Sequence, residues 1–365
     1  MDKFRYIMDM SKQMAKKLAF TPEVYRQIMQ HLSIIDGFKG NWEAIELSNS
    51  KHLQELRKIA TIESIGSSTR IEGATLTDTE VDSLLKSVQV TELSSREEQE
   101  VVGYYEALQV ILENYKEIEL SERYIHQLHS LLLRYSAKDQ GHKGQYKSLS
   151  NQVVANYPGG RQRTIFRTTE PALTSKEIEE LISWTNERLS HGDMHPVMLT
   201  AAFVYEFLSI HPYRDGNGRL SRLLTTFLLM KQGYAFVQYV SFEHIIEERK
   251  EAYYRALMEG QKHRYQETEK IDKWMVFFLE CLVRLIQRLE AKYETYKKLT
   301  KDLNERQEQV LAFIKEKKKV QISEVVEALP NYSRNTLKKD LAYLVNEGLL
   351  LKTGERKGRR YHYKE

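Results

Sequence analysis

A single cysteine, Cys281, stands among 365 residues, so no internal disulfide can form and a reducing compartment is the natural setting. Proline is scarce (6) and glycine modest (17), which excludes a collagenous chain and disfavours linker-rich or many-turned all-β architectures. Long apolar runs are missing too. The most apolar stretch, Trp274–Val283, is interrupted by Glu280 and falls far short of the roughly 20 residues that span a bilayer. The opening MDKFRYIMDMSKQMAKKLAF scatters charge where a secretory signal needs an unbroken apolar segment. No GxxxxGK(S/T) occurs, so a Walker phosphate loop is excluded. The expectation is a cytoplasmic protein with no membrane partner.

With 41% hydrophobic and 29% charged residues, the chain is apolar enough to bury a core, and its length suits two or three domains. The net charge is only +4, but it is unevenly spread. Residues 301–365 hold 15 Lys+Arg against 10 Asp+Glu, leaving 40 against 41 for the remainder of the 55 and 51. A nucleic-acid contact is therefore expected at the C-terminal end alone, with a solvated basic tail as the alternative.

Helical periodicity dominates, and the expected fold is mainly α. Ser121–Tyr135 opens on a helix-capping Ser and places Ile125, Leu128, Leu131 and Leu132 on one face. Thr174–Leu189 begins with TSKE, a capping-box pattern. Pro196–Ile210 is almost wholly apolar, as a helix buried on every side would be, and Leu220–Lys231 reads as a second. Glu243–Gly260 and Ile271–Lys298 read as long amphipathic helices. One stretch departs from this: residues 152–169 hold two short β-prone runs around Pro158-Gly159-Gly160, a hairpin signal.

The chemistry concentrates in His211–Arg222, HPYRDGNGRLSR. Pro212 ends the preceding helix close to His211, and Gly216-Asn217-Gly218 permits backbone geometry closed to bulkier residues. The next helix begins at once, so free amides converge there into an anion site suited to phosphate. Arg219 and Arg222 lie three residues apart and can fork phosphate oxygens, while Asp215 could hold a magnesium ion between phosphates. His211 is the one member of the group that takes up a proton near neutral pH. The residues thus read as a di- or triphosphate cradle with a divalent cation and an adjacent base, which suits phosphoryl or nucleotidyl transfer to a hydroxyl.

HPYRDGNGRLSR resembles the signature of the Fic family, HPFx(D/E)GNGRxxR, matching eight of nine specified positions, with Tyr213 where phenylalanine is commoner. The resemblance is strongest over roughly residues 100–240. It implies a helical Fic core that binds ATP with Mg²⁺ and moves AMP onto a Ser, Thr or Tyr hydroxyl of a target protein, releasing pyrophosphate. On the matching positions it implies His211 as the base, Asp215 as the Mg²⁺ ligand, Gly216, Asn217 and Gly218 as the anion hole, and Arg219 and Arg222 on the β- and γ-phosphates. In ERKEAYYRAL, Tyr253 or Tyr254 would touch adenine, with an ordinary core role as the alternative.

STRIEG, Ser68–Gly73, resembles the family's inhibitory motif (S/T)xxxE(G/N), built here on Ser68, Glu72 and Gly73. It implies that Glu72 competes with the γ-phosphate for Arg222; the alternative is a helix-ending turn with Glu72 facing solvent. The hairpin resembles the family's flap, which pairs with an extended target segment through an edge strand; Ile165 and Phe166 would grip the target, and a plain surface hairpin is the alternative.

Near the end, candidate helices at Gln307–Ile314 and Ile322–Leu329, a Ser333-capped helix and a hairpin over Leu349–Tyr363 resemble a winged helix-turn-helix. Arg334, Asn335, Lys338 and Lys339 would face a groove of double-stranded DNA, and Arg356, Lys357, Arg359 and Arg360 its phosphates. A protein partner is the alternative for this domain. The expected organisation is a helical region carrying the inhibitory motif (1–95), a Fic catalytic domain with following helices (96–300) and a winged helix-turn-helix domain (301–365). Two functions compete with a self-inhibited AMP transferase: a DNA-binding regulator whose Fic part senses nucleotide, and a Fic enzyme that removes AMP or moves another phosphate group. A target protein, duplex DNA and a second copy in a homodimer are the partners this reading allows.

Overall fold

The computed structural model describes residues 10–47, 51–87, 93–156, 162–300, 303–346, 349–354 and 359–363. They form two compact units, residues 1–290 and 291–365, dividing inside one helix about ten residues before the charge-based boundary.

The first unit is helical apart from one hairpin. In chain order it runs α1 (Met10–Lys17), α2 (Pro22–Leu47), α3 (Lys51–Ile71), α4 (Asp78–Ser87), α5 (Arg96–Asn114) and α6 (Glu122–Leu132). Strands β1 (Gln152–Asn156) and β2 (Gln162–Arg167) follow, then α7 (Pro171–His191), α8 (Pro196–Ile210), α9 (Asn217–Lys231), α10 (Phe242–Glu248), α11 (Lys250–Gln261) and α12 (Asp272–Thr300). Helices α8 and α9 pack together at the centre, and 13 of 15 residues in each are buried. Burial on every side is why α8 is almost wholly apolar, whereas α9 also buries polar groups, Arg219 and Arg222 among them. In α2, Ile28, Leu32, Ile35, Phe38 and Trp42 recur every three or four residues as one buried stripe, with Phe38 packed edge-on against Phe236. Helices α5 and α6 approach backbone to backbone: a Cβ on Gly103 would lie 2.2 Å from the Leu132 carbonyl oxygen. No described helix is long and apolar enough to cross a membrane.

Charge is also buried around α8. Glu206 accepts from Lys17 at 2.5 Å and from Arg264 at 2.9 Å, and Lys17 lies 3.2 Å from Glu269. A buried anion persists only with such partners.

Two local expectations need correction. The TSKE segment does not cap α7. Pro171, whose fixed φ suits the first helical position, starts the helix earlier, and Thr174 sits inside it, donating its hydroxyl to the Glu170 carbonyl. The expected helix over 243–260 is two helices broken at Arg249, whose guanidinium is drawn to Glu280 (2.7 Å) and over the Phe277 ring.

Strands β1 and β2 pair antiparallel from Gln152↔Arg167 to Asn156↔Gln162. The register shifts between Val153↔Phe166 and Val154↔Thr164, which makes Ile165 the extra residue of a bulge. The Pro158-Gly159-Gly160 tip lies outside the described residues.

The second unit packs α13 (Glu305–Lys317), α14 (Ile322–Ala328) and α15 (Arg334–Asn346) on a small antiparallel sheet in the order β3 (Lys319–Val320), β5 (Arg360–Tyr363), β4 (Leu350–Thr353). Its core gathers Val310, Ile314, Val320, Val325, Leu337, Leu341, Leu344 and Leu350. Strand β3 is an addition to the expected pattern, too short to show periodicity. Ser333 accepts from the Thr336 amide at 3.2 Å, as a capping residue should.

Candidate active site

Between α8 and α9 the chain makes a tight turn that aims several groups into one cavity of about 200 Å³. His211 ends α8 in the left-handed region, φ 54°, uncommon for a residue with a side chain. Gly216 ends the turn at φ 80°, where glycine carries no penalty. Asn217 braces the turn from inside: its Oδ1 accepts from the Tyr213 amide (2.9 Å) and its Nδ2 donates to the Tyr213 carbonyl (2.7 Å). Its side chain is therefore committed to the loop, and only its backbone can serve the cavity.

The His211 ring is oriented through Nδ1, 3.3 Å from the Leu208 carbonyl, an acceptor that places the proton on Nδ1 and leaves Nε2 with a lone pair. Burial, reinforced by the Lys147 ammonium, lowers its pKa to about 4. The imidazole is thus a neutral base across the physiological range.

Arg219 and Arg222 converge on the same cavity. The Arg219 guanidinium pairs with Glu100 (3.2 Å) and Asp215 (3.4 Å), while its Nε and Nη1 find no hydrogen-bond acceptor among the described residues. Nη1 still faces the Glu100 carboxylate, so Nε is the buried donor left open, and such a donor suits an anion. Arg222 is fully engaged: Nε donates to Ser68 Oγ (2.8 Å), and Nη2 to the Ser68 carbonyl (2.9 Å) and to Glu72 Oε1 (2.7 Å). Helix α3 ends one residue before Glu72, and Gly73 turns the chain away at φ 109°. Burial pushes the Glu72 carboxyl upward, but the Arg222 guanidinium outweighs it and holds the group ionised below its ordinary value. The carboxylate lies directly over Gly218, where a Cβ would meet Glu72 Oε1 at 2.2 Å. Glu72 points into the cavity toward Arg222, with a third of its side chain exposed.

Asp215 turns Oδ1 to the Gly216 amide (2.6 Å) and Oδ2 to Lys138 (3.1 Å) and Arg96 (3.3 Å). Burial favours its neutral form, yet Arg219 and Lys138 overcome this and keep it ionised far below the usual range. Among the described residues no three His, Cys, Asp or Glu side chains cluster as a metal cage. A hard cation at Asp215 would therefore lean on one carboxylate and on ligand oxygens, the arrangement Mg²⁺ prefers with nucleotides. Asp215 supplies the hard oxygen such an ion takes, and in the unliganded protein Lys138 and Arg96 hold that oxygen.

Sequence reasoning missed the groups that hold this loop. His129 is buried on α6, its Nδ1 accepting from the Gly144 amide (2.8 Å), which leaves Nε2 to donate to the Asp215 carbonyl (3.0 Å). Its ring stacks on Tyr213 with centroids 3.7 Å apart. The hydroxyl that distinguishes Tyr213 from phenylalanine meets His126 Nδ1 at 2.8 Å. On the other side, Lys147 donates to the Ile210 carbonyl, Asn151 Oδ1 and Thr168 Oγ1, each at 2.9 Å, and Asn151 donates to the Tyr213 carbonyl (2.8 Å). The foot of the hairpin is thereby fastened to the turn. Burial lowers the Lys147 pKa to about 8. A lone His and a lone Lys carry no local signal; only the fold brings them to the turn.

Tyr253 and Tyr254, both buried on α11, line the cavity. Gln152 and Val153 of β1 reach its rim. Phe166 is half-buried opposite Val153. In the second unit Arg334, Asn335, Lys338 and Lys339 are all exposed on α15, and Arg359 and Arg360 are exposed at the start of β5. Arg356 and Lys357 lie outside the described residues.

This turn, set between two buried helices beside a short hairpin, defines a Fic domain. Residues 119–229 match the Fic/DOC family, and residues 306–355 match the DeoR-like helix-turn-helix domain, so the chain carries both in that order. The protein adenylyltransferase Fic of Drosophila willistoni is 30% identical over 207 residues, 56% of this chain and 39% of that protein. That of Drosophila persimilis is 30% identical over 217 residues, 59% and 40%. The chain thus spans about two-fifths of the curated relatives it matches. Among solved structures, a Fic family protein from Desulfovibrio desulfuricans G20 superposes with a TM-score of 0.67 at 21% identity, covering 95% of this chain and 98% of the other. A Fic-1 fragment from C. elegans gives 0.57 at 20% identity, covering 75% and 73%. These two likenesses establish the fold.

Proposed function

We propose that the protein is an adenylyltransferase that moves AMP from ATP to a Ser, Thr or Tyr hydroxyl of a target protein, and that Glu72 restrains it. One observation carries the reading: a neutral His211, two arginines and a glycine turn face one cavity, and a carboxylate occupies its anion-binding end. Without Glu72 that end presents what a polyphosphate needs: the Arg222 fork, the open Arg219 Nε donor and the approach over Gly218. The cavity's 200 Å³ is below the range of about 300–1,000 Å³ typical of ligand sites, which suits a restrained state.

His211 Nε2 takes the proton of the target hydroxyl as its oxygen bonds to the α-phosphorus, while the bond from that phosphorus to the bridging oxygen breaks and pyrophosphate leaves. Arg219 and Arg222 hold the departing charge, and Tyr253 and Tyr254 wall the base side. Asp215 would hold Mg²⁺, which when bound neutralises phosphate oxygens. The foot of β1 and β2, locked by Lys147, sets an edge where a target segment can pair, with Phe166 and Ile165 beside it. Labelling with ATP marked separately at the α- and γ-phosphates tests this: the Glu72→Gly protein gains AMP mass and α-label only, and His211→Ala gains neither. Nucleotide binding without any mass gain would favour a sensor.

For the second unit we propose duplex DNA as partner, through the exposed cations of α15 and β5. Salt-sensitive duplex binding supports this, and failure to bind any duplex at low salt overturns it.

A further inference from the structure

All four acceptor directions of Asp215 are taken by protein donors, and the two oxygens are held very differently. Oδ1 is fixed by the Gly216 backbone amide (2.6 Å) and by Arg219 Nη2 (3.4 Å), a side chain only 1% exposed. Oδ2 is held by two side chains at the surface, Lys138 at 3.1 Å and Arg96 at 3.3 Å, which are 49% and 56% exposed. Lys138 comes from the short turn 137–139 between α6 and β1, and has no other hydrogen-bond partner among the described residues. Arg96 opens α5 and has an alternative at hand, because its Nε already donates to Glu100 Oε1 at 2.7 Å. Both cations can swing away without stranding a buried group, whereas nothing on the Oδ1 side can.

From this geometry we infer that Lys138 and Arg96 are resident counterions on the metal-facing oxygen of Asp215, which a divalent ion displaces, so that this pair sets how tightly the protein holds its metal. The inference rests on the reading of Asp215 as the carboxylate that holds Mg²⁺. A single-carboxylate site takes its ion at the exchangeable oxygen, here Oδ2, and each competing ammonium or guanidinium weakens it by the strength of one exposed ion pair. That amounts to about 1.5- to 5-fold per cation. The two competing cations are exposed, so salt weakens their hold.

The test uses the full chain carrying Glu72→Gly, Mn²⁺ as the probe and an ATP analogue with a methylene between the α- and β-phosphorus atoms. Free Mn²⁺ is followed by paramagnetic resonance, and the parent is compared with Lys138→Met and with Lys138→Met/Arg96→Met. At low salt the double variant is expected to bind Mn²⁺ about 3- to 10-fold more tightly, the single variant less so, and the gap to close near 0.5 M salt. Unchanged or weaker Mn²⁺ binding in the double variant overturns the inference, as does a gap that persists at high salt. Analogue binding that weakens while Mn²⁺ binding stays constant would make the two cations phosphate ligands, which also overturns it. Should the Glu72→Gly parent bind neither Mn²⁺ nor analogue, the nucleotide reading of the cavity fails and takes this inference with it. If the parent binds both and the variants match it, only the inference fails.

Discussion

Deleting the Glu72 carboxylate should move two measurable quantities in opposite directions. Its contact with Arg222 is a charge-assisted hydrogen bond of 2.7 Å to a guanidinium only 3% exposed. Bonds of that kind are worth about 1.5–3 kcal/mol net. A phosphate that needs Arg222 must first break it, so Glu72→Gly should tighten ATP binding by about the same amount, roughly 10- to 150-fold. The unliganded fold should weaken. Arg222 keeps its bonds to Ser68 but loses its counter-charge, at a cost of about 1–3 kcal/mol and a few degrees of Tm. Ligand then reverses the loss, since ATP at about 100 times its Kd returns roughly 2.7 kcal/mol. Glu72→Gln, which removes the charge and keeps the bulk, should fall between the two proteins. Calorimetric titration with Mg·ATP and thermal scans with and without nucleotide supply both readouts. Equal ATP affinity in wild type and Glu72→Gly, or a Tm loss that nucleotide does not repair, would refute the competition for Arg222.

Four further outcomes follow from the geometry of the two units, each taken by itself. His211 has its pKa depressed to about 4 even with the Glu72 charge raising it, so AMP transfer by the Glu72→Gly protein should keep its His211-dependent rate down to about pH 4. Lys147 helps to depress that pKa, so Lys147→Met should shift the acid limb of the pH–rate profile upward; an unmoved limb would show that the two groups are uncoupled. His129→Ala removes two backbone bonds and the stack on Tyr213, and at about 1 kcal/mol per bond should slow transfer about 10- to 30-fold, with partial recovery in His129→Gln; an undiminished rate would show that the turn holds itself. In the second unit, Lys338→Ala should lower the slope of log affinity for duplex DNA against log salt by about one, and an unchanged slope with binding retained would remove Lys338 from the phosphate contacts.

The turn was legible because its chemistry is local. His, Pro, Asp, Gly and Arg at fixed offsets dictate a helix stop, a tight bend and a helix start whatever surrounds them. The almost wholly apolar run of α8 likewise announced its central place, and the spacing in 307–346 announced three short helices. What escaped were interactions made across the chain. His129 lies 86 residues from the carbonyl it holds, and Lys147 is separated by 63 from the Ile210 carbonyl. Arg249 breaks a good helical pattern only because Glu280 and Phe277 wait on another helix. The TSKE segment failed as a start signal because Pro171, three residues earlier, is a stronger one. Glu72 stands between these cases: its motif suggested a pairing with Arg222, 150 residues away, and the alternative of a solvent-facing glutamate is the one the fold discards.

The cluster of Lys17, Glu206, Arg264 and Glu269 bears on the order in which the protein becomes whole. Its members emerge from the ribosome at the beginning, middle and end of the first unit, and the anion on the helix that delivers His211 has both its oxygens paired only once Arg264 joins Lys17. A nascent chain halted before residue 264 carries the complete HPYRDGNGRLSR turn on a helix whose interior charge is only partly matched, and such a helix gains little by burying itself. A chain shortened past Lys17 should therefore resemble one stopped before Arg264, each leaving Glu206 with one of its two cationic partners.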